Sequence, residues 1–448
     1  MHRSWVLLPV AALVLITTRY STTPIPARID PVALAAATEA AHSYCTLPHR
    51  APPRKQAVRG PVGLQIAAEP PRPGYVQPIG GLGSGPGQNP RAEVTGTLTN
   101  PGDVDSFGIP LRTGDVLSVA VSGSSGDTGY QLRLLDPRNT FVEGSAQDRS
   151  STYPTSSPLV PEGGQQVVAD FDHVAAMTGT HVLSVSGGPG DFEATVQIFR
   201  SSGDVQRIYL EFRGTTLDTT IFGTDAGGSQ PRTLSPFSAF LPKWGLTEAD
   251  EPRLIQAITD TVALNLRAAG PAQVVVDNSV DNPDEFGRAN VSRLVIGGTQ
   301  AEADMETVGI AQSVDPGNFA REETALVLLD LLSGPAEDSA SLNHYIGPNS
   351  DKIAFIAKAV GDIASHEAGH FLGSWHTDPE NGTHDLMDSG DLPGAYGYGP
   401  DGIGGTADDT RPVFGQDVYA PSEGSQGLEN TRARTATGLG GAGALPSP

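Results

Sequence analysis

Residues 366–376 read His-Glu-Ala-Gly-His-Phe-Leu-Gly-Ser-Trp-His, and the interpretation of the chain starts from this stretch. His366 and His370 are four positions apart, so on a helix they lie about 40° apart on one face and can share a cation. Glu367 is one position on and points beside the cation, which suits a base that acts on metal-bound water. The stretch therefore predicts a metal site on a helix.

The residues before the motif carry the period of a long helix. From Asp351 onward the apolar positions form one stripe: Ile353, Ile356, Ala357, Val360 and Ala364. Gly373 can take the left-handed conformation that ends a helix, so the chain can turn and bring His376 back as a third ligand. Three histidine ligands leave the fourth position of a zinc ion open for water, as expected of a catalytic site.

Composition limits the classes of function. The 448 residues predict two or three domains, and 28 Lys+Arg against 51 Asp+Glu give a formal net charge of −23. This charge argues against a nucleic-acid partner, because a phosphate backbone needs a basic face. The strongly negative net charge fits an extracellular protein. The single cysteine, Cys45, excludes an intramolecular disulfide framework.

The N-terminal part predicts export and then a linker. Residues 1–21 hold a short basic region and a run of 12 largely apolar residues, which is too short to span a bilayer and indicates a signal peptide for secretion. Residues 22–90 are rich in Pro and Gly from residue 46 onward. They predict a flexible or polyproline-type linker, or a pro-segment, rather than a folded unit.

Residues 91–200 alternate with a period of two and predict an all-β sandwich. Turn signals such as Asn-Pro-Gly-Asp at 100–103 separate the short strands. The sequence here resembles the bacterial pre-peptidase C-terminal domain at 96–98, 102–107, 113–117 and 178–185. The resemblance implies an accessory role without catalysis, including contact with a cell surface or a polysaccharide.

Residues 204–440 predict a second, α/β (α+β) unit with a mixed sheet and the long helix of the motif. Leu254, Ile258, Val262 and Leu266 recur every four residues behind Pro252, as in an amphipathic helix. Short apolar runs at 274–276 and 294–296 are typical of buried strands, and 309–314 is a further candidate strand. Residues 441–448 are expected to form a flexible tail.

The motif resembles that of the metzincin clan of zinc metallopeptidases. The resemblance implies zinc ligands at His366, His370 and His376, the general base at Glu367, a turn at Gly373, and the methionine of the Met-turn at Met387 in Asp-Leu-Met-Asp-Ser-Gly. Thr377 after the third histidine and Ser389 after the Met-turn depart from well-known subfamilies. The subfamily and the group that stabilises the oxyanion therefore stay open.

Two further features leave alternatives open. Cys45 can mask the zinc as a pro-segment thiolate, as in zymogens of some metzincins, or it is a free, incidental cysteine, and the sequence favours the second. Asp401, Asp408 and Asp409 lie in a loop of acids spaced by glycines, which is either a Ca²⁺ site or a solvated turn.

The sequence thus predicts a secreted, monomeric zinc metalloendopeptidase that hydrolyses protein or peptide substrates through zinc-activated water, with Glu367 as general base. An extended peptide is expected to lie along the edge strand at 309–314. The alternatives are a catalytically inert surface-binding or adhesion protein on a peptidase scaffold, and a structural calcium or surface-layer protein.

Overall fold

The fold is described from a computed structural model. It describes residues 45–47, 62–69, 75–79, 90–123, 129–157, 159–160, 167–199, 205–223, 230–270, 274–283, 285–390 and 392–437. The predictions of a signal peptide at 1–21 and of a flexible tail at 441–448 lie outside these residues.

Within the described residues the protein is mostly β-sheet, arranged in several sheets with few helices. The strands are β1 Val62–Ala67, β2 Gln77–Pro78, β3 Arg91–Leu98, β4 Val104–Leu111, β5 Val116–Gly123, β6 Tyr130–Leu135, β7 Phe141–Ser145, β8 Val167–Val174, β9 Gly179–Gly187, β10 Gly190–Phe199, β11 Gln206–Glu211, β12 Thr215–Leu217, β13 Arg232–Leu234, β14 Val274–Asn278, β15 Val291–Ile296, β16 Gly309–Ala311, β17 Thr324–Val327, β18 Asp417–Val418 and β19 Ser425–Glu429. The α-helices are α1 Glu251–Ala269, α2 Gln300–Ala303, α3 Lys352–Phe371, α4 Leu392–Ala395 and α5 Thr431–Thr437. Short 3₁₀ segments lie at Thr219–Phe222, Phe237–Trp244, Leu342–His344 and Pro421–Glu423.

The first ten strands form a β-sandwich, as the alternating pattern predicts. One sheet has the order β1-β3-β10-β5-β8, and the other contains β7-β6-β9-β4-β2. Inward-facing apolar residues of both sheets make one core, because alternate residues of a strand face the same side. The core includes Val94, Phe107, Val119, Leu132 and Val196.

The linker prediction for residues 22–90 is wrong at two places. Strand β1 pairs in parallel with β3, and β2 pairs in parallel with β4, so both belong to the sandwich. The two strands escape a pattern-based prediction because prolines and glycines surround them and because β2 has only two residues.

The second unit is built on a five-stranded mixed sheet of order β14-β11-β15-β17-β16. Four strands are parallel, and β16 is antiparallel to β17 at one edge. The amphipathic helix α1 and the strands at 274–278 and 291–296 lie where the sequence predicts them. The candidate strand at 309–314 is shorter than predicted and ends at Ala311.

The long helix α3 packs against this sheet and against α1. Its N-terminus is capped by the Asp351 carboxylate, which accepts a hydrogen bond from the Ala354 amide at 3.0 Å. Gly361 allows the close approach of α1, because a Cβ at this position would lie 2.6 Å from the Thr261 side chain. From Phe355 to Phe371 every residue of α3 is buried, so the motif at its C-terminal end is held rigidly.

The C-terminal part of the chain returns to the sandwich. Strand β19 pairs antiparallel with β7, and β18 follows it, so that the second sandwich sheet has seven strands. The predicted division into a sandwich at 91–200 and a separate unit at 204–440 is therefore incorrect at its C-terminal end. None of the helices in the described part of the chain is long and apolar enough to cross a membrane.

Candidate metal centre

Three histidines and one cysteine meet at the C-terminal end of α3. His366 and His370 project from the last turns of the helix, His376 comes from the following segment, and Cys45 comes from the N-terminal part of the chain. One ligand atom from each lies within 4.8 Å of the others, and all four residues are buried. Within the part of the chain that the structure describes, this is the one group of His, Cys, Asp and Glu found able to hold a metal ion.

Hydrogen bonds fix the orientation of all three imidazole rings. The Nδ1 atom lies 2.7 Å from the Leu386 carbonyl oxygen in His366, 2.8 Å from the Ser374 carbonyl oxygen in His370, and 2.6 Å from Glu423 Oε1 in His376. Since a carbonyl or carboxylate oxygen only accepts, each Nδ1 carries the proton in the neutral ring. Each Nε2 therefore offers a lone pair, and the buried Nε2 of His376 has no hydrogen-bond partner among the described residues.

The turn after α3 requires a glycine for two reasons. Gly373 has a φ of 88°, in the region that side-chain-bearing residues rarely adopt. A Cβ at this position would also lie 2.5 Å from the Pro316 Cα atom. The Gly373 amide donates to the His370 carbonyl at 2.9 Å and closes the turn that directs His376 toward the helix. Gly373 therefore has the left-handed conformation that the sequence predicts for the end of the helix.

Cys45 is one of the four members of the cluster, so the interpretation of it as an incidental cysteine is wrong. Its Sγ atom is 3.5 Å from His370 Nε2 and 3.6 Å from Glu367 Oε2, and the side chain is 1% exposed. Cys45 forms a parallel β-bridge with Gly309, and the Thr46 amide donates to the Gly309 carbonyl at 3.3 Å. The segment therefore runs along the outer side of β16.

Glu367 lies beside the cluster and is not one of its four members. It is fully buried, and its Oε1 atom accepts no hydrogen bond from the residues that the structure describes. Gly309 of β16 makes room for it, because a Cβ at 309 would collide with this oxygen. The edge strand and Glu367 are thus in direct contact.

Met387, the residue predicted for the Met-turn, packs against the helix that carries His366 and His370. It is fully buried, and a Cβ at Gly369 would lie 2.6 Å from its sulfur. The glycine inside the histidine motif is therefore the residue against which the methionine packs. The Met387 amide donates to Asp385 Oδ1 at 2.9 Å, and the Thr377 amide donates to the Met387 carbonyl, also at 2.9 Å.

Burial sets the protonation states of the site. Burial, followed by the neighbouring imidazoles, holds the pKa of His366 and of His370 well below the usual range. Both rings are therefore neutral at physiological pH, as metal ligands must be. Burial raises the pKa of the Glu367 carboxyl to about 8 and the pKa of the Cys45 thiol well above its usual range. A bound cation would favour the charged form of both groups.

The three aspartates of the predicted calcium loop do not form such a group. Asp401, Asp408 and Asp409 lie near one another, but their carboxylates accept hydrogen bonds from the loop itself, including the amides of Ile403 and Gly405. The loop has the hydrogen bonding of a self-contained turn.

Glu423 was not among the residues predicted for the site. Its carboxylate is buried against the outer nitrogen of His376, where it orients the ring. It is 47 positions from His376 along the chain and stands in Pro-Ser-Glu-Gly, where no periodic pattern marks it. A sequence alone gives no signal for such a contact.

Comparison with protein-family models gives no match, and comparison with curated protein sequences gives none either. Among solved structures, the chain is similar to the pre-peptidase C-terminal domain of collagenase from Bacillus anthracis, with 16% identity, a TM-score of 0.19, and coverage of 28% of this chain and 99% of that one. It is also similar to PliG of Aeromonas hydrophila, a periplasmic inhibitor of g-type lysozyme, with 14% identity, a TM-score of 0.18, and coverage of 30% and 99%. IMPa of Pseudomonas aeruginosa, solved with an O-glycopeptide, gives 13% identity, a TM-score of 0.15, and coverage of 63% and 33%. These similarities concern fold alone.

Proposed function

We propose that the protein is a zinc-dependent endopeptidase in which Cys45 holds the site in a latent form. The observation that carries this proposal is the convergence of three imidazoles and one thiol on one buried point, with a carboxylate beside them. A histidine packed for stability alone needs no such convergence, and Nε2 of His376 is a buried atom without a hydrogen-bond partner in the part of the chain that the structure describes.

The donor set fits zinc. Imidazole nitrogen and thiolate sulfur are the ligands that zinc prefers, whereas calcium and magnesium prefer oxygen. The acceptors on all three Nδ1 atoms support the same assignment, because metal-ligating histidines usually donate their other N–H to a carbonyl or carboxylate. His366, His370, His376 and Cys45 would hold the ion.

When bound, zinc would act as a Lewis acid that lowers the pKa of water and polarises a substrate carbonyl. The chain itself supplies the proton transfer. Glu367 is one residue beyond His366 and outside the ligand group, so its free Oε1 atom can accept a proton from the attacking water and pass it to the leaving amine. The burial of Glu367 excludes bulk water, which strengthens the electrostatic interaction between its carboxylate and the attacking water.

Cys45 accounts for latency in this proposal. Four protein donors close a tetrahedral site, and a catalytic site needs one open position. The same segment pairs with β16, the edge strand along which an extended peptide is expected to bind. Residues 45–47 therefore block both the metal and the strand edge. Release of this segment is the step that would open the site.

The metzincin resemblance of residues 366–387 supports the choice of peptide bonds as the substrate. The signal-like N-terminus supports secretion, and the buried Met387, which packs against Gly369 of the histidine motif, supports the same clan. An inert scaffold would be expected to lose Glu367 or a ligand, and the chain retains Glu367 and all three histidines. We therefore prefer an active enzyme to a binding or adhesion protein.

The test uses the full chain and its Cys45→Ala variant, each assayed for metal content and for cleavage of a peptide library. We expect about one zinc per chain in both, and cleavage that increases at least 10-fold in the variant because the fourth position is open. A parent protein with less than ~0.3 equivalents of zinc after dialysis would argue against the metal assignment. Zinc binding without cleavage in either protein would favour the inert scaffold.

A further inference from the structure

A network of buried charged groups connects the sandwich to the segment that carries His376. Asp172 of β8 and Glu143 of β7 are fully buried, and both face the C-terminal part of the chain. Arg434 of α5 enters between them: it forms an ion pair with Asp172, and its Nη2 atom donates to Glu143 Oε2 at 3.1 Å. Its Nε atom lies 2.8 Å from the carboxylate of Glu429 in β19.

Trp375, the residue before the third ligand, is held by the same network. Its indole Nε1 donates to Asp172 Oδ1 at 3.2 Å, and its backbone amide donates to Glu429 Oε1 at 3.1 Å. The guanidinium of Arg149 lies 4.3 Å from the centre of the indole ring, within cation–π range. The ring is 1% exposed and packs against Tyr153 of the sandwich.

The position of His376 follows from these contacts. Its carbonyl accepts the Ala420 amide at 3.0 Å, and its imidazole is oriented by Glu423. Ala420 and Glu423 belong to the chain between β18 and β19, and β19 is itself a strand of the sandwich sheet. His376, the third ligand, therefore follows a residue that the sandwich holds, Trp375, and its ring contacts another, Glu423. In contrast, His366 and His370 are fixed by α3.

The burial of these charged groups is energetically costly, so the network is not incidental. A buried carboxylate without a partner destabilises a protein by several kcal/mol, so the partners must stay in place. Asp172 accepts from Trp375, from the Tyr153 hydroxyl at 3.0 Å and from Arg434, all of which would move if the sandwich moved. Through these contacts the position of the sandwich determines the position of Trp375.

We propose that the β-sandwich is a structural part of the metal centre, with Asp172, Trp375 and Arg434 as positioning residues for His376. This inference rests on the proposed metal site and assigns the sandwich a role that an accessory domain does not have. The sandwich sets the geometry of the third ligand, so damage to its buried network weakens metal binding at a distance.

The experiment measures zinc affinity in the full chain by competition with a chelator. The variants are Asp172→Asn, which keeps the shape and an acceptor oxygen but removes the charge, and Trp375→Phe, which keeps a smaller aromatic ring but removes the indole N–H. The control is Glu93→Gln, which likewise keeps an acceptor oxygen but removes the charge of the 2.8 Å ion pair with Arg91 on β3, a strand of the same sandwich sheet that does not neighbour β8. The melting temperature of each metal-free protein and the absorption spectrum of its Co²⁺ form are recorded in parallel.

We expect each interface variant to bind zinc about 10-fold more weakly, at the lower end of the range for groups that orient a metal ligand. The double variant, Asp172→Asn with Trp375→Phe, should lose less zinc affinity than the product of the two single fold-losses, because both changes act through one contact. The Co²⁺ spectrum should change in these variants and stay unchanged in the control. Unchanged affinity and spectrum, even with a lower melting temperature, would overturn the inference, because the sandwich would then only stabilise the fold. If the parent chain bound no zinc, the proposed function would fail as well.

Discussion

The turn at Gly373 gives a prediction whose magnitude follows from the geometry. In Gly373→Ala the new residue must keep a φ near 88°, which destabilises the fold by about 1–2 kcal/mol. Its Cβ also meets backbone atoms of Pro316 at 2.5–2.8 Å, and backbone cannot rotate away as a side chain can. Overpacking of this kind destabilises by about 1–3 kcal/mol. The free energy of unfolding should therefore fall by about 2–5 kcal/mol.

Gly382→Ala is the matched control for this variant. Gly382 has a φ of 83°, but a Cβ there has no neighbour within 4 Å, so only the conformational term of about 1–2 kcal/mol applies. Urea unfolding of the metal-free proteins, followed by tryptophan fluorescence, measures both losses. Gly373→Ala should also weaken zinc binding, because the turn directs His376, whereas Gly382→Ala should not. Equal losses of stability in the two variants, with equal zinc affinity, would refute the account of the turn.

Two further predictions concern carboxylates away from the histidines. Burial raises the pKa of the Asp362 carboxyl from 3.8 to about 6, so the folded state binds this proton more tightly than the unfolded state. The bound proton therefore stabilises the fold below about pH 4. This stabilisation, up to about 3 kcal/mol, is lost as the pH rises to about 6. Urea unfolding of metal-free protein at pH 4.5 and 7 should show this loss, and Asp362→Asn should reduce it; an unchanged difference between the two pH values would exclude Asp362 as its source. Because the aspartates at 401–409 already accept hydrogen bonds from their own loop, millimolar Ca²⁺ should leave the melting temperature unchanged, and a clear rise would restore the calcium site.

The parts of the fold that were predictable are those in which neighbours along the chain determine the structure. The stripe from Ile353 to Ala364 predicts α3, because a helix buries every third or fourth residue. The placement of His366 and His370 on one face of this helix follows from the same period. Gly373 follows from a backbone requirement that few other residues meet.

The parts that were not predictable depend on contacts between distant residues. Cys45 is 325 positions from His370, and nothing in the residues around it indicates that the segment lies along β16. Strand β1 pairs with β3, which lies beside it only in the folded sandwich. Strand β19 comes from the C-terminal part of the chain but pairs with β7 of the sandwich. Arg434 looks like a surface residue in the sequence but is 2% exposed. Such contacts carry no local period, so a pattern cannot reveal them.

The most direct test of the zinc endopeptidase is the peptide-cleavage rate of Glu367→Gln in the Cys45→Ala background, at matched zinc content. Glutamine keeps the size of the side chain but cannot take a proton, so the rate should fall by roughly 10²–10⁴-fold while about one zinc per chain remains. His370→Ala in the same background should lose both zinc and cleavage, since it removes a ligand. A rate for Glu367→Gln close to that of its parent would contradict the assigned mechanism, and a loss of zinc as complete as in His370→Ala would make Glu367 a ligand or a structural support instead of a base.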